Sequence, residues 1–149
     1  LSNFLNKGTK MKKEIFIEYA YANGTASEDI DREKEIVGIR CWLDDDKHYF
    51  DLALVDAPNK MDWFDAKIWC EEHYCRLPMK HELKFICDNL STINKMLRNA
   101  GGKMLNGYYW SSSEYSSNYA WQSALYGSCG LDSLTNKTGN NYVRPVLAL

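Results

Sequence analysis

The apolar residues of this chain change their spacing twice, from that of strands to that of helices and back. Residues 13–30 begin with a stretch rich in Ile, Phe and Tyr and reach Asn-Gly-Thr at 23–25, a strong turn signal. We therefore predict a strand that enters a turn. Residues 36–43 and 48–55 have the composition of two hairpin strands, with Asp44, Asp45 and Asp46 at the tip.

Helical spacing governs residues 61–102. In a helix over residues 61–74, one face carries Trp63, Ala66, Cys70 and Tyr74. Phe64 and Ile68 widen this apolar face. Asp62 stands before this face as a good N-cap. Within residues 81–102, apolar side chains recur every three or four positions at Leu83, Ile86, Leu90, Ile93, Leu97 and Ala100. Gly101 and Gly102 end this stretch, and Ser91 or Thr92 is a candidate point of division into two helices.

The C-terminal third has the composition of short strands and long polar loops, and it ends in the strand-like NYVRPVLAL at 141–149. The order of strands, helices and strands predicts the α+β class. A chain of 149 residues is most often one domain. We expect residues 1–13 to be a disordered N-terminal extension and residues 14–149 to form the domain.

Charge and hydropathy exclude two kinds of partner. The net charge is −2, which does not steer a protein toward nucleic acid. No apolar run approaches 18 residues, so we expect no membrane insertion by this domain. The chain opens at Leu1 with a polar stretch that does not look like a signal peptide, which leaves the localisation open.

Cysteine and histidine spacing offers one candidate metal site. The five cysteines form no familiar disulfide framework, so we expect free and mostly buried thiols. Potential zinc ligands cluster at Cys70, His73, Cys75 and His81, but their spacing matches no zinc module that we recognise. The acidic hairpin tip could hold calcium, although such runs are more often solvated. We therefore expect no bound metal.

Catalytic signatures are missing from the sequence. It contains no phosphate-binding glycine loop, no H-E-x-x-H, no G-x-S-x-G and no C-x-x-C. His48, His73 and His81 all precede the serine-rich region, so no local spacing suggests a Ser-His-Asp triad. We expect the chain to be no enzyme and to need no cofactor.

Three stretches of the chain, residues 53–86, 100–121 and 141–149, carry a family resemblance. They resemble a group of C-type-lectin-fold proteins from gut bacteria and their phages, some of which are the variable proteins of diversity-generating retroelements. The resemblance runs from about Val37 to Leu149 and is strongest in YYWSSSEYSSNYAW at 108–121 together with YVRP at 142–145. It implies a C-type lectin fold, with two to three helices packed on small antiparallel sheets and with long C-terminal loops. Met79 departs from the family, which usually has a small hydroxyl residue there that caps the next helix.

The codon chemistry of such retroelements gives the resemblance some support. They mutate template adenines, typically in AAC codons, and the resulting NNC codons cannot encode Lys, Glu, Gln, Met or Trp. None of these five residues occurs from Ser123 to Asn136. Gln122 and Lys137 lie outside the reachable set, as do Trp110, Glu114 and Trp121. They are expected to be fixed, with a different codon as the alternative for Gln122.

The resemblance implies a ligand surface at residues 116–141 on a fixed scaffold. Its variable positions are Ser116, Asn118, Tyr119, Ser123, Ala124, Tyr126, Ser128, Cys129, Leu131, Asp132, Leu134, Thr135, Asn136, Thr138, Asn140 and Asn141. The scaffold positions are Trp63, Trp110, Glu114, Trp121 and Arg144. The implied partner is an unknown protein or glycan on a cell surface, and the domain itself is expected on a phage particle or a bacterial cell.

Specific roles follow for the scaffold residues. Trp110, Tyr115 and Trp121 are expected in the core, and Glu114 is expected to bond loop amides. Arg144 is expected to pair with a buried acid. Pro145 cannot donate to a strand ladder, so we expect it at an edge or a bulge.

Two alternatives remain open at this stage. One is an invariant lectin-fold adhesin, although the E-P-N, Q-P-D and W-N-D motifs of calcium-dependent sugar binding are missing. The other is an oxidase related to formylglycine-generating enzymes, which share the general fold. That chemistry needs a reactive cysteine pair near the C-terminus, where only Cys129 lies.

Overall fold

The computed structural model describes residues 15–43, 47–127, 129 and 132–148. In that part of the chain the elements are β1 (Phe16–Tyr21), β2 (Ala26–Ser27), β3 (Ile36–Trp42), β4 (Tyr49–Ala53), α1 (Trp63–Glu72), β5 (Cys75–Arg76), α2 (Lys80–Asp88), α3 (Leu90–Asn99), β6 (Gly107–Glu114), β7 (Tyr119–Leu125), β8 (Asp132–Asn136) and β9 (Val146–Leu147). Three helices combine with antiparallel sheets, which confirms the α+β class. The expected extension at residues 1–13 and the acidic tip at 44–46 lie outside the described residues.

The larger sheet has the strand order β2-β1-β3-β4-β9-β5. Strands β3 and β4 form the predicted hairpin, in which Arg40 lies opposite Asp51. The two side chains are buried and make a bidentate ion pair with N–O distances of 2.8 and 3.0 Å. Such pairing compensates the cost of removing both charges from water.

The last strand of the chain lies inside this sheet and not at its edge. Strand β9 lies between β4 and β5, where Val146 pairs with both Leu52 and Arg76. Pro145 comes directly before β9, and its carbonyl accepts a hydrogen bond of 2.9 Å from the Ala53 amide. The prediction of an edge or bulge for Pro145 was wrong, because a proline that precedes the first strand residue interrupts no ladder bond.

Helix α1 begins as predicted but ends earlier. The Asp62 carboxylate accepts a hydrogen bond of 2.8 Å from the Asp65 amide, which confirms the N-cap. Trp63, Ala66 and Cys70 are buried, whereas Tyr74 is 85% exposed. Helix α1 ends at Glu72 and Tyr74 takes a φ of 56°, so its side chain leaves the helical face. Phe64 and Ile68 are also exposed and do not widen the buried face.

Helices α2 and α3 bury five residues of the predicted stripe: Leu83, Ile86, Leu90, Ile93 and Leu97. The sixth, Ala100, follows α3 and is half-buried. The division between them lies at Asn89, not at Ser91 or Thr92. The Asn89 amide side chain donates to the Phe85 carbonyl at 2.8 Å and so satisfies a helix-end acceptor. Gly101 has a φ of 79° and ends α3 as predicted.

The serine-rich stretch supplies the cap that Met79 cannot provide. The Ser113 hydroxyl, on β6, accepts a hydrogen bond of 3.0 Å from the Lys80 amide. Glu82 accepts a second one, of 2.8 Å, from the Met79 amide, and it also pairs with Arg76. Since the hydroxyl comes from another element, the cap also fixes α2 against β6.

The second sheet has the order β6-β7-β8, and a hydrophobic cluster packs against part of each of its faces. Tyr109 belongs to the cluster formed with α2 and α3, whereas its neighbour Trp110 belongs to the cluster formed with α1. Successive strand residues point to opposite faces of a sheet, so β6 separates the two clusters. None of the described helices is long and apolar enough to cross a bilayer.

Candidate functional site

Trp110 and Trp63 anchor the β6–β8 sheet to α1. Trp110 is fully buried, and its indole nitrogen donates to the Met61 carbonyl at 2.8 Å. The Trp63 indole nitrogen donates to the Ser111 carbonyl at 2.9 Å. Both rings therefore bury apolar area while their polar atoms stay bonded, which places these two scaffold residues in the core as expected.

Arg144 has the buried acidic partner that was predicted for it. Its Nε lies 2.7 Å from Asp56 Oδ1, and its Nη2 donates to the Lys103 carbonyl at 2.6 Å. The Tyr109 hydroxyl donates to the other Asp56 oxygen at 3.2 Å. Burial, with Asp56 nearby, raises the pKa of Tyr109. This cluster joins the C-terminal segment to β6 and to the loop after β4.

Lys137 supports the far end of the sheet. Its side chain is only 3% exposed, and its Nζ lies 2.5 Å from Glu114 Oε1 and 4.4 Å from the centre of the Trp63 ring. The hydrogen bond from Lys137 lowers the pKa of Glu114. Glu114 was expected to bond loop amides, and that prediction was wrong because a buried ammonium takes its carboxylate.

The three aromatic residues predicted for the core have different environments. Trp110 is buried, but Tyr115 is 65% exposed and Trp121 is half-buried. The Lys80 Nζ lies 3.5 Å from the centre of the Trp121 ring, which Tyr115 contacts edge to face. Trp121 and Tyr115 therefore belong to a surface cluster, because β7 points Trp121 toward the start of α2 and not toward α1.

One face of the strands presents an exposed apolar group beside this cluster. Trp121 pairs with Leu134 and Tyr119 pairs with Asn136, and paired residues share a face. Tyr119 is 43% exposed and Leu134 is 38% exposed. We call Tyr115, Tyr119, Trp121 and Leu134 the apolar patch. Lys80 lies at its border.

A second exposed pair lies on the opposite face. Tyr126 is 44% exposed, and its hydroxyl donates to the Tyr108 hydroxyl at 3.2 Å. Tyr108 pairs with Ala124, which places both on the face opposite Tyr109. The sequence did not mark Tyr108 or Lys80 as site residues. The strand alternation of residues 107–110 was the signal that could have found Tyr108.

The other predicted variable positions divide by burial. Ser116, Asn118, Asn136, Thr138 and Asn140 are exposed, while Ala124, Asp132 and Thr135 are half-buried. Ser116 and Asn136 also organise their turns, by accepting hydrogen bonds from the amides of Tyr119 and Thr138. Ser128 and Leu131 lie outside the described residues.

Three predicted variable positions are structural instead. Ser123 is 1% exposed and lies opposite the buried Tyr109. Asn141 is buried and donates to the Gln122 side chain at 2.8 Å, and Gln122 in turn donates to Ser133. Cys129 forms a disulfide with Cys87, which corrects the expectation that all the cysteines are free.

The remaining thiols are protected from ionisation. Cys41 and Cys70 are buried, and burial raises the pKa of both thiols. Cys75 donates a weak hydrogen bond to the Cys70 carbonyl, and the His73 ring stacks on Trp69 with centroids 4.0 Å apart. Within the described residues, no three His, Cys, Asp or Glu side chains are grouped to hold a metal ion.

Comparison with known proteins adds no assignment to this geometry, since no protein-family model matches the chain and no curated protein matches it significantly.

Proposed function

We propose that this chain is a non-enzymatic binding domain with a C-type lectin fold, which displays a ligand surface on strands β7 and β8 and their loops. The observation that carries the proposal is the apolar patch. Large apolar side chains stay exposed there beside a firmly anchored scaffold. Contiguous apolar groups on a soluble domain commonly mark interaction sites.

The composition of this surface suits recognition without catalysis. Tyrosine provides a large, rigid contact area at low entropic cost, and Ser and Asn provide adaptable hydrogen bonds. The proposed contact residues are Tyr119, Leu134, Asn136 and Thr138 at the apolar patch, and Tyr126 on the opposite face of the sheet. The proposed ligand is a protein or a glycan on a cell surface, and the domain itself is displayed on a phage particle or a bacterial cell.

Diversification by a retroelement is a further part of the proposal. Three residues that NNC codons cannot encode have scaffold contacts: Lys137 with Trp63, Trp110 with Met61, and Gln122 with Asn141. Ser123, Cys129 and Asn141 have scaffold contacts as well, so we propose that they are invariant. The variable set is then the rest of the predicted variable positions, which run from Ser116 to Asn140.

DNA sequencing tests the diversification. The DNA beside the coding region should contain a reverse transcriptase and a near-copy of the 3′ end that differs at adenines. If neither is present, diversification is rejected, and the second candidate, an invariant adhesin with the same surface, remains. The scaffold contacts of Ser123 and Cys129 favour that candidate.

A binding array tests the surface itself. Purified protein is applied to arrays of glycans and of cell-surface proteins, beside a Tyr119→Ser/Leu134→Ser variant. Tyr74→Ser is the matched control, because Tyr74 is more exposed but lies outside the three strands. We expect the double variant to lose the signals that the wild type and the control share. Equal signals from all three proteins would reject this surface.

We propose no oxidase activity. The cysteine that such chemistry would use near the C-terminus, Cys129, is bonded to Cys87 on α2. Turnover that depended on reduced Cys129 would restore the enzymatic alternative.

A further inference from the structure

The Cys87–Cys129 disulfide joins a helix to the connection between β7 and β8, the two strands of the proposed ligand surface. Cys87 lies in the last turn of α2, and Cys129 lies between the end of β7 at Leu125 and the start of β8 at Asp132. Their Cα atoms are 5.5 Å apart although 42 positions separate them in sequence. That Cα separation is typical of protein disulfides.

The elements on both sides of the bond also have contacts of their own. Helix α2 is held by buried Leu83 and Ile86 and by the Ser113 cap. The β7–β8 ladder runs from Tyr119–Asn136 to Ser123–Asp132, so Asp132 is in the ladder pair nearest to Cys129 in sequence. Tyr126 lies beyond that ladder, where its described polar contact is with Tyr108.

We propose that the disulfide is a redox-controlled tether that fixes Tyr126 and the start of β8 against α2, and so sets the shape of the ligand surface. The effect on ligand binding rests on the proposed function, but the effect of the disulfide on local structure can be tested alone. Reduction uses two equivalents of a small-molecule thiol. One thiolate attacks a sulfur, forms a mixed disulfide and releases the other cysteine as a thiolate, which takes up a proton. The second thiol then displaces the first cysteine and leaves as the oxidised small-molecule disulfide.

The position of the bond makes reduction feasible without unfolding. Cys87 and Cys129 are each only partly buried and lie at the edge of the larger hydrophobic cluster. Cys41 and Cys70, by contrast, are buried. A thiol reagent can therefore reach the tether before it reaches the core.

Thiol counting and amide hydrogen exchange test the proposal on the full chain. After denaturing alkylation, the protein as isolated without reductant should carry three alkyl groups, and the protein treated with dithiothreitol should carry five. At labelling times too short to report global unfolding, reduction should speed exchange about tenfold at Tyr126, Gly127 and Asp132, and leave α2 and the β1–β4 strands unchanged. Cys129→Ser should reproduce this pattern without reductant, and Cys75→Ser should behave as the wild type.

Three outcomes overturn the proposal. Five alkyl groups before reduction would show that the bond does not form. Faster exchange throughout the chain at these short labelling times would make the disulfide a general staple and not a local tether. On the arrays, equal binding by oxidised and reduced protein would remove its control of the surface. Array binding by neither form would reject the proposed function and leave the exchange result intact.

Discussion

Lys137 holds its ammonium between the Glu114 carboxylate and the face of Trp63, although it directly follows the partly exposed strand β8. The Nζ–Oε1 distance is 2.5 Å, and the Nζ lies 4.4 Å from the ring centre. The contact connects β8, β6 and α1. The scaffold therefore holds the chain in place at the end of β8, where the next loop of the proposed surface begins.

Lys137→Ala should lower the free energy of unfolding by about 2 kcal/mol, because the buried stem loses its packing on Trp63. Lys137→Met keeps most of that packing and loses the charge, so we expect about half the effect. Urea unfolding measures both. Equal stability of Lys137→Ala and wild type would place this side chain in solvent.

Glu114→Gln should make stability less dependent on pH on the acid side. The pKa of Glu114 is lowered in the folded state by Lys137, so its stabilising contribution is present above the unfolded-state pKa. That contribution is lost as the pH falls through the folded-state pKa. Thermal melts of both proteins from neutral to acidic pH should therefore converge. A difference that grows on acidification would have the wrong sign for this pairing.

Trp110→Ala should cost roughly 3–5 kcal/mol, the usual effect of removing a buried Trp. Trp121→Ala should cost less, about 1–2 kcal/mol, because Trp121 is half-buried and packs against Lys80 and Tyr115. Denaturant melts of the two variants decide the order. If Trp121→Ala cost more than Trp110→Ala, Trp121 and not Trp110 would be the core residue.

Reducing the Cys87–Cys129 bond should lower stability by roughly 4 kcal/mol, the chain-entropy value for a closed loop of 42 residues. Cys87→Ala/Cys129→Ala should match the reduced protein. Urea midpoints with and without dithiothreitol provide the test. A midpoint that ignores the reductant would mean that the bond is absent or that strain cancels its benefit.

The sequence predicted those elements whose apolar spacing is local. The β3–β4 hairpin, the Asp62 cap and the buried stripe of α2 and α3 followed from periodicity and turn chemistry. The apolar periodicity wrongly placed Tyr74 on the buried face of α1, because periodicity carries no information about the positive φ of this residue. It also could not find the Ser113 cap, which comes from a strand distant in sequence.

The site was predicted as a region but not residue by residue. Exposure of Tyr119 and Leu134 agrees with the expected ligand surface, whereas burial of Ser123 depends on which face β7 turns toward α2. Polar composition carries no information on that choice of face. Local spacing also could not predict the Cys87–Cys129 disulfide, since disulfide connectivity cannot be deduced from sequence alone.

The central claim is that binding and stability reside on different residues, and a small variant library tests it most directly. Tyr119, Tyr126, Leu134, Asn136 and Thr138 are replaced together by other residues that NNC codons encode, and each member is melted and applied to the binding arrays. Because exposed substitutions rarely change stability by more than about 0.5 kcal/mol each, most members should stay folded while their ligand preference changes. Ser123→Tyr, which NNC codons also allow, should instead destabilise the protein by about 1–3 kcal/mol through overpacking. A library in which most members unfold, or in which all members keep the wild-type ligand preference, would contradict the account.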